Sequence, residues 1–143
     1  MSGVPDRINI DKKDRELYNK LDQEEILRHK DKGGRRTRKE QFLIAMAIGF
    51  RNKIRRPLES KEGWFLIKDL KSEDEALIDS ISVYSTHSVD VLSNREEVFR
   101  IVEEYAHAGI RLLVDKIFSI SHGSFEKQFE NELNNMYSEM RLS

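Results

Sequence analysis

Nine consecutive residues without a charged side chain, Phe42 to Phe50, constrain this fold more than any other feature of the chain. Thr37 and Glu40 precede them at the spacing of a capping box, in which the Thr hydroxyl accepts an orphan amide and the Glu side chain returns the bond. Pro57 follows as a terminator. The segment therefore reads as a helix from Arg38 to about Lys53 whose middle is apolar nearly all round (Phe42, Leu43, Ile44, Ala45, Met46, Ala47, Ile48, Phe50). Such a helix is central to its domain or lies in an oligomer interface. It is far too short for a bilayer, which needs roughly 20 apolar residues. Gly49 sits within it, where a small residue allows a neighbour to approach closely.

Other elements arrange themselves around this one. Residues 1–6 read as a loose leader. Arg7-Ile8-Asn9-Ile10 alternates like a short strand with one buried face. Asp11 is placed to cap a helix running from about Lys12 to Leu27, with Leu17, Leu21 and Tyr18 on its apolar side. Gly33-Gly34 breaks the chain inside a polar connector, 28–37, expected to be mobile. Trp64 to Ile67 is an apolar run, either extended or a loop packed on the core. Ser72 with Glu75, and Asn94 with Glu97, repeat the helix-start spacing and predict helices to about Tyr84 and about Phe118. Ser121 to Ser124 reads as a break. Phe125, Phe129, Leu133, Met136, Tyr137 and Met140 then form a narrow stripe on a last helix, in a helical tail spanning 119–143. That stripe either packs back on the domain, the preferred reading, or pairs with a partner helix. The expected fold is mainly α: a single compact helical domain of four to five helices with one short N-terminal strand.

Composition narrows the chemistry. No cysteine is present among the 143 residues, which removes disulfides, zinc-thiolate sites and thiol catalysis. The first ten residues contain no apolar h-region, so a cytoplasmic location is the default expectation. Gly33-Gly34 lacks the downstream Gly and Lys-Ser/Thr pair of a phosphate loop. Glu103 and Glu104 stand four and three residues before His107, but a carboxylate-bridged di-iron bundle needs two Glu-x-x-His copies and two further Glu. The expectation is a structural helix face, with no metal, no cofactor and no catalytic residues. His87 and His122 are assigned to loops and His29 to a basic block.

Charge is the second informative feature. Between residues 28 and 56 stand eleven Lys or Arg: Arg28, Lys30, Lys32, Arg35, Arg36, Arg38, Lys39, Arg51, Lys53, Arg55 and Arg56. Only Asp31 and Glu40 oppose them, a local charge of +9 in a chain whose net charge is −1. A field of this size attracts a polyanion, and the plain alternative is a solvated helix with its loops. Nucleic acid is the first partner to consider and an acidic protein surface the second. No aromatic interrupts Arg28–Lys39, so phosphate contact is favoured over base stacking. A strand followed by two helices also leaves a ribbon-helix-helix-like start open, in which strands of two chains pair and Arg7, Asn9 and Asp11 face outward. The connector is longer than that arrangement uses, so a short edge strand or extended arm is preferred.

Two stretches together carry a resemblance. They are Phe42-Leu43-Ile44-Ala45-Met46-Ala47-Ile48-Gly49-Phe50 with Arg55-Arg56-Pro57-Leu58, and Glu103-Glu104-Tyr105-Ala106-His107-Ala108-Gly109-Ile110. In this order the chain, over roughly residues 7 to 118, resembles the dnd system-associated protein 4 family, also called DNA phosphorothioation-associated protein 4. The resemblance implies a setting in systems that replace a non-bridging DNA backbone oxygen with sulfur, or that restrict unmarked DNA in phage defence. It carries no catalytic residues. The resulting expectation is a non-enzymatic accessory protein that binds duplex DNA through the eleven basic residues above. Its helical body would dimerise or dock other components of the system. The alternative is an adaptor whose basic block meets an acidic surface of another component.

Overall fold

The computed structural model describes residues 5–23, 37–119 and 122–142, with backbone only for residues 23, 118–119, 122–129 and 141–142. Two antiparallel strands, β1 (Arg7–Asp11) and β2 (Lys61–Leu66), accompany five helices among these residues. The helices are α1 (Arg15–Gln23), α2 (Arg38–Arg51), α3 (Ser72–Thr86), α4 (Arg95–Ser119) and α5 (His122–Leu142). No described helix is long and apolar enough to cross a membrane.

Strand β1 forms as its alternation dictates. Ile8 and Ile10 are buried and Arg7 is exposed. Its partner is β2 of the same chain, and its backbone at Asn9 is held by α4. The ribbon arrangement, with a second copy as partner, is therefore not what this strand does. Asp11, expected to face outward in that arrangement, is buried instead. It caps the 3-10 turn Lys12–Asp14 that leads into α1, its Oδ1 accepting from the Lys13 amide at 3.0 Å. Its other oxygen accepts from the amides of Glu59 (2.8 Å) and Ser60 (3.4 Å), tying the turn before β2 to the start of α1.

The run Trp64–Ile67 belongs mostly to β2. A bulge opposite the Ile8–Asn9 step makes Trp64 the extra residue of that strand. Bulges re-aim side chains, and Trp64 points inward, its ring 5.2 Å from that of Tyr18.

At the start of α2 the capping box is formed as its spacing predicts: Thr37 Oγ1 accepts from the Glu40 amide, and Glu40 Oε1 accepts from the Thr37 amide, both at 3.2 Å. The helix stops at Arg51, before the expected Lys53, because the Asn52 side chain accompanies its own amide onto the Ile48 carbonyl and Lys53 turns left-handed (φ 58°). In α3 the cap lies one residue earlier than expected. Lys71 is the N-cap, its amide donating to Asp74 Oδ2 at 2.9 Å, and Ser72 is already helical. Asn94 Oδ1 accepts from the Glu97 amide at 3.1 Å and opens α4 as expected. Of the break expected at Ser121–Ser124, residues 122–124 are helical instead, and Ser121 lies outside the described residues.

Helices α2 and α4 pack against each other as the centre of the fold. Every residue from Ile101 to Ile110 is buried. Two glycines set the distance of approach. A Cβ on Gly49 would run into the Tyr105 carbonyl, and one on Gly109 into the Ala45 carbonyl and the Gly49 amide. Helix α5 lies back on this pair through Met136, which is buried, and through Leu133 and Met140, which are partly so. Phe125 and Phe129 of its stripe lie outside the described side chains.

Candidate nucleic-acid interface

Six of the eleven basic residues are described, and these six do not form one patch. Arg28, Lys30, Lys32, Arg35 and Arg36 lie outside the described residues. Of the other six, Arg38 and Lys39 open α2, while Arg51, Lys53, Arg55 and Arg56 lie at or beyond its far end. A helix of 14 residues separates the two groups by about 20 Å.

Four of the six are engaged inside the chain. The Arg38 guanidinium sits 4.0 Å from the centroid of the Trp64 ring and donates to the Trp64 carbonyl at 3.3 Å. Lys39 pairs with Asp74 at 2.8 Å, and Arg51 pairs with Glu139 on α5. Arg55 donates through Nε to Glu104 Oε1 at 2.8 Å and through Nη1 to Ser85 Oγ at 3.1 Å. Lys53 and Arg56 are exposed, with no side-chain partner among the described residues. The field that composition suggests is thus partly cancelled at Asp74, Glu104 and Glu139.

Glu103, Glu104 and His107 are all buried, and each faces a different partner. Glu104 joins Arg55 to Arg100, whose Nη1 donates to its Oε2 at 3.0 Å; Arg100 also forks onto Glu97. Glu103 Oε2 accepts from the Asn9 amide at 2.7 Å and from Asn9 Nδ2 at 3.3 Å, pinning β1 to α4. Burial pushes its carboxyl up to about 7, against the pull of the Asn9 amide. His107 Nδ1 shares a 2.6 Å hydrogen bond with Asp14 Oδ2, and its Nε2 lies 3.9 Å from Asp11 Oδ2. Burial raises the Asp14 carboxyl, although the bond to His107 opposes it. Asp11 is moved the other way: burial pushes it up, but amides of Lys13, Glu59 and Ser60 together hold it below the usual range. No three His, Asp or Glu side chains among the described residues are grouped to hold a metal ion. Glu103 and His107, four residues apart, thus fasten the N-terminal strand and turn onto α4, while Glu104, the carboxylate at Glu-x-x-His spacing, holds Arg55 and Arg100. Sequence reading missed Asp14 and Asn9 as the partners, since only long-range packing brings them there.

The model of a protein family described as DNA sulphur modification system-associated protein 4 matches residues 7–139. The chain belongs to this family. No curated protein and no solved structure matches it. As a member of the sulphur-modification family, the chain is associated with a DNA sulphur modification system. The match extends through most of α5, further than the 7–118 covered by the two sequence stretches. Those stretches are the two sides of one contact in the family member described here: the first supplies Ala45 and Gly49 of α2, the second Tyr105 and Gly109 of α4.

Proposed function

We propose that this chain is a cytoplasmic, non-enzymatic accessory component of the DNA sulphur modification system that holds duplex DNA by its phosphates. The contacts come from the basic residues of 28–36 and from Lys53 and Arg56. The observation that carries the reading is the charge of +9 between residues 28 and 56 in a member of a DNA-modification family. Lys53 and Arg56 add to it as cations without a side-chain partner among the described residues, whereas Arg51 and Arg55 act mainly by orienting the chain after α2. Phosphate contacts of this kind are independent of sequence and weaken as salt rises.

The test is a variant that leaves the internal contacts intact. Arg35, Arg36 and Arg56 are changed to Ala together, with Arg38, Arg51, Arg55 and Lys53 kept. Duplex affinity should fall for every sequence tried, and the slope of log affinity against log salt should flatten by about one for each phosphate no longer neutralised. Unchanged affinity at every salt concentration would overturn the assignment.

One observation favours a second reading, an adaptor docking an acidic protein surface. Internal pairing of Arg38, Lys39, Arg51 and Arg55 leaves less free charge for DNA than composition suggests. Co-purification with a system component that survives nuclease treatment and moderate salt would select it.

A further inference from the structure

Lys53 and His87 are the only non-glycine residues with positive φ among the described residues, at 58° and 57°. Each stands just past a helix, α2 and α3 respectively, at the place where glycine or asparagine normally makes the left-handed turn. A side chain with a Cβ is disfavoured there, and such backbone strain clusters at functional sites. The two residues come from separate elements, yet both line one cavity of about 510 Å³, a volume within the range of small-molecule sites.

Met136, Glu139 and Met140 of α5 form one side of it, and the aromatic and hydroxyl-bearing remainder fits one class of ligand. Phe50 meets Tyr84 and Tyr105 edge to face, with centroids 5.9 and 5.5 Å apart, and all three rings reach the cavity wall. Ser85 Oγ accepts from Tyr105 Oη at 2.9 Å and from Arg55 Nη1 at 3.1 Å, and its own hydrogen has no acceptor among the described residues. Three of the last four carbonyls of α2 are taken by backbone amides: Ile48 by Asn52, Gly49 by Ile54 and Phe50 by Lys53. Lys53, exposed and in the cavity lining, has no side-chain partner among the described residues. Arg51, also in the wall, is neutralised by Glu139.

Aromatic walls suit a flat base, and an ammonium, an imidazole and a hydroxyl donor in one lining suit an anionic group joined to that base. We propose that this cavity between the ends of α2 and α3 binds a nucleotide, its base against the three rings and its phosphate at Lys53, His87 and Ser85. The site shares Lys53 with the proposed duplex contacts but otherwise stands on its own geometry and does not depend on duplex binding by residues 28–36. The nucleotide is either free or a unit of a single strand.

Fluorescently labelled deoxyadenosine monophosphate, titrated with the full chain and competed with unlabelled monophosphate or a short single-stranded oligonucleotide, tests this directly. Saturable binding displaced by either competitor is expected. Stronger displacement by the oligonucleotide, compared per nucleotide, would identify a strand as the source, and equal displacement a free nucleotide. Lys53→Gly and His87→Gly relieve the left-handed strain, so each should raise Tm by a few degrees while weakening nucleotide binding about tenfold. The variant with Arg35, Arg36 and Arg56 changed to Ala should bind the monophosphate as the natural chain does, which separates failure of this site from failure of duplex binding. Absence of binding at millimolar monophosphate, or glycine variants that bind as tightly as the parent, would overturn the proposal.

Discussion

Glu103 shows how much one buried carboxyl can decide. Its environment favours the neutral form, with the carboxyl pushed from 4.5 to about 7 by burial. A group raised in the folded state stabilises fully below its unfolded value and loses that contribution as pH rises through the folded one. Stability should therefore fall between about pH 4.5 and 7 and level off above, by up to about 3 kcal/mol at 1.36 kcal/mol per pH unit. Glu103→Gln keeps an oxygen for the Asn9 amide and removes the titration. Urea denaturation of both forms from pH 5 to 8 should show the natural chain losing stability relative to the variant. Parallel curves would mean that Glu103 is ionised throughout. The spacing of Glu103 and His107 was legible in the sequence; what they do was not. Their partners Asn9 and Asp14 lie 94 and 93 residues away in the chain, and no local pattern encodes such a meeting.

Among the elements, local signals carried furthest. Helix starts at Thr37 and Asn94 were readable because a cap is completed within four residues. Strand β2 was not, since the bulge at Trp64 breaks the two-residue alternation and its partner is β1, far away in the chain. The α2–α4 crossing lies between these cases. Gly49 was recognised as a close-approach residue, but its counterpart Gly109 emerges only from the packing. Alanine at either position would improve helix propensity by about 1 kcal/mol. The added carbon would meet backbone, which cannot yield without parting the helices, so the clash should win. Gly49→Ala and Gly109→Ala should each destabilise by about 1–3 kcal/mol, measured by chemical or thermal unfolding. A variant as stable as the parent would show that the helices are further apart than described here.

At the scale of the molecule, the helical architecture followed from apolar periodicity, while the charge pattern needed three dimensions. The basic residues stand on both sides of the apolar run in the sequence, the described ones are held apart in space by the length of α2, and acids on α3, α4 and α5 neutralise part of them. Composition counts charges and cannot see those pairings. Among the described basic residues, Lys53 and Arg56 remain for a polyanion, so the salt dependence of binding is the quantity that reports on the proposed function. The most direct measurement is fluorescence anisotropy of labelled duplex DNA, with and without phosphorothioate linkages, across a salt series. A DNA-holding accessory protein should bind both duplexes with a steep negative slope of log affinity against log salt, and a difference between them would add recognition of the sulfur mark. Absence of binding at about 100 mM salt, where non-specific DNA binders are normally still detectable, would contradict the account and leave the adaptor in its place.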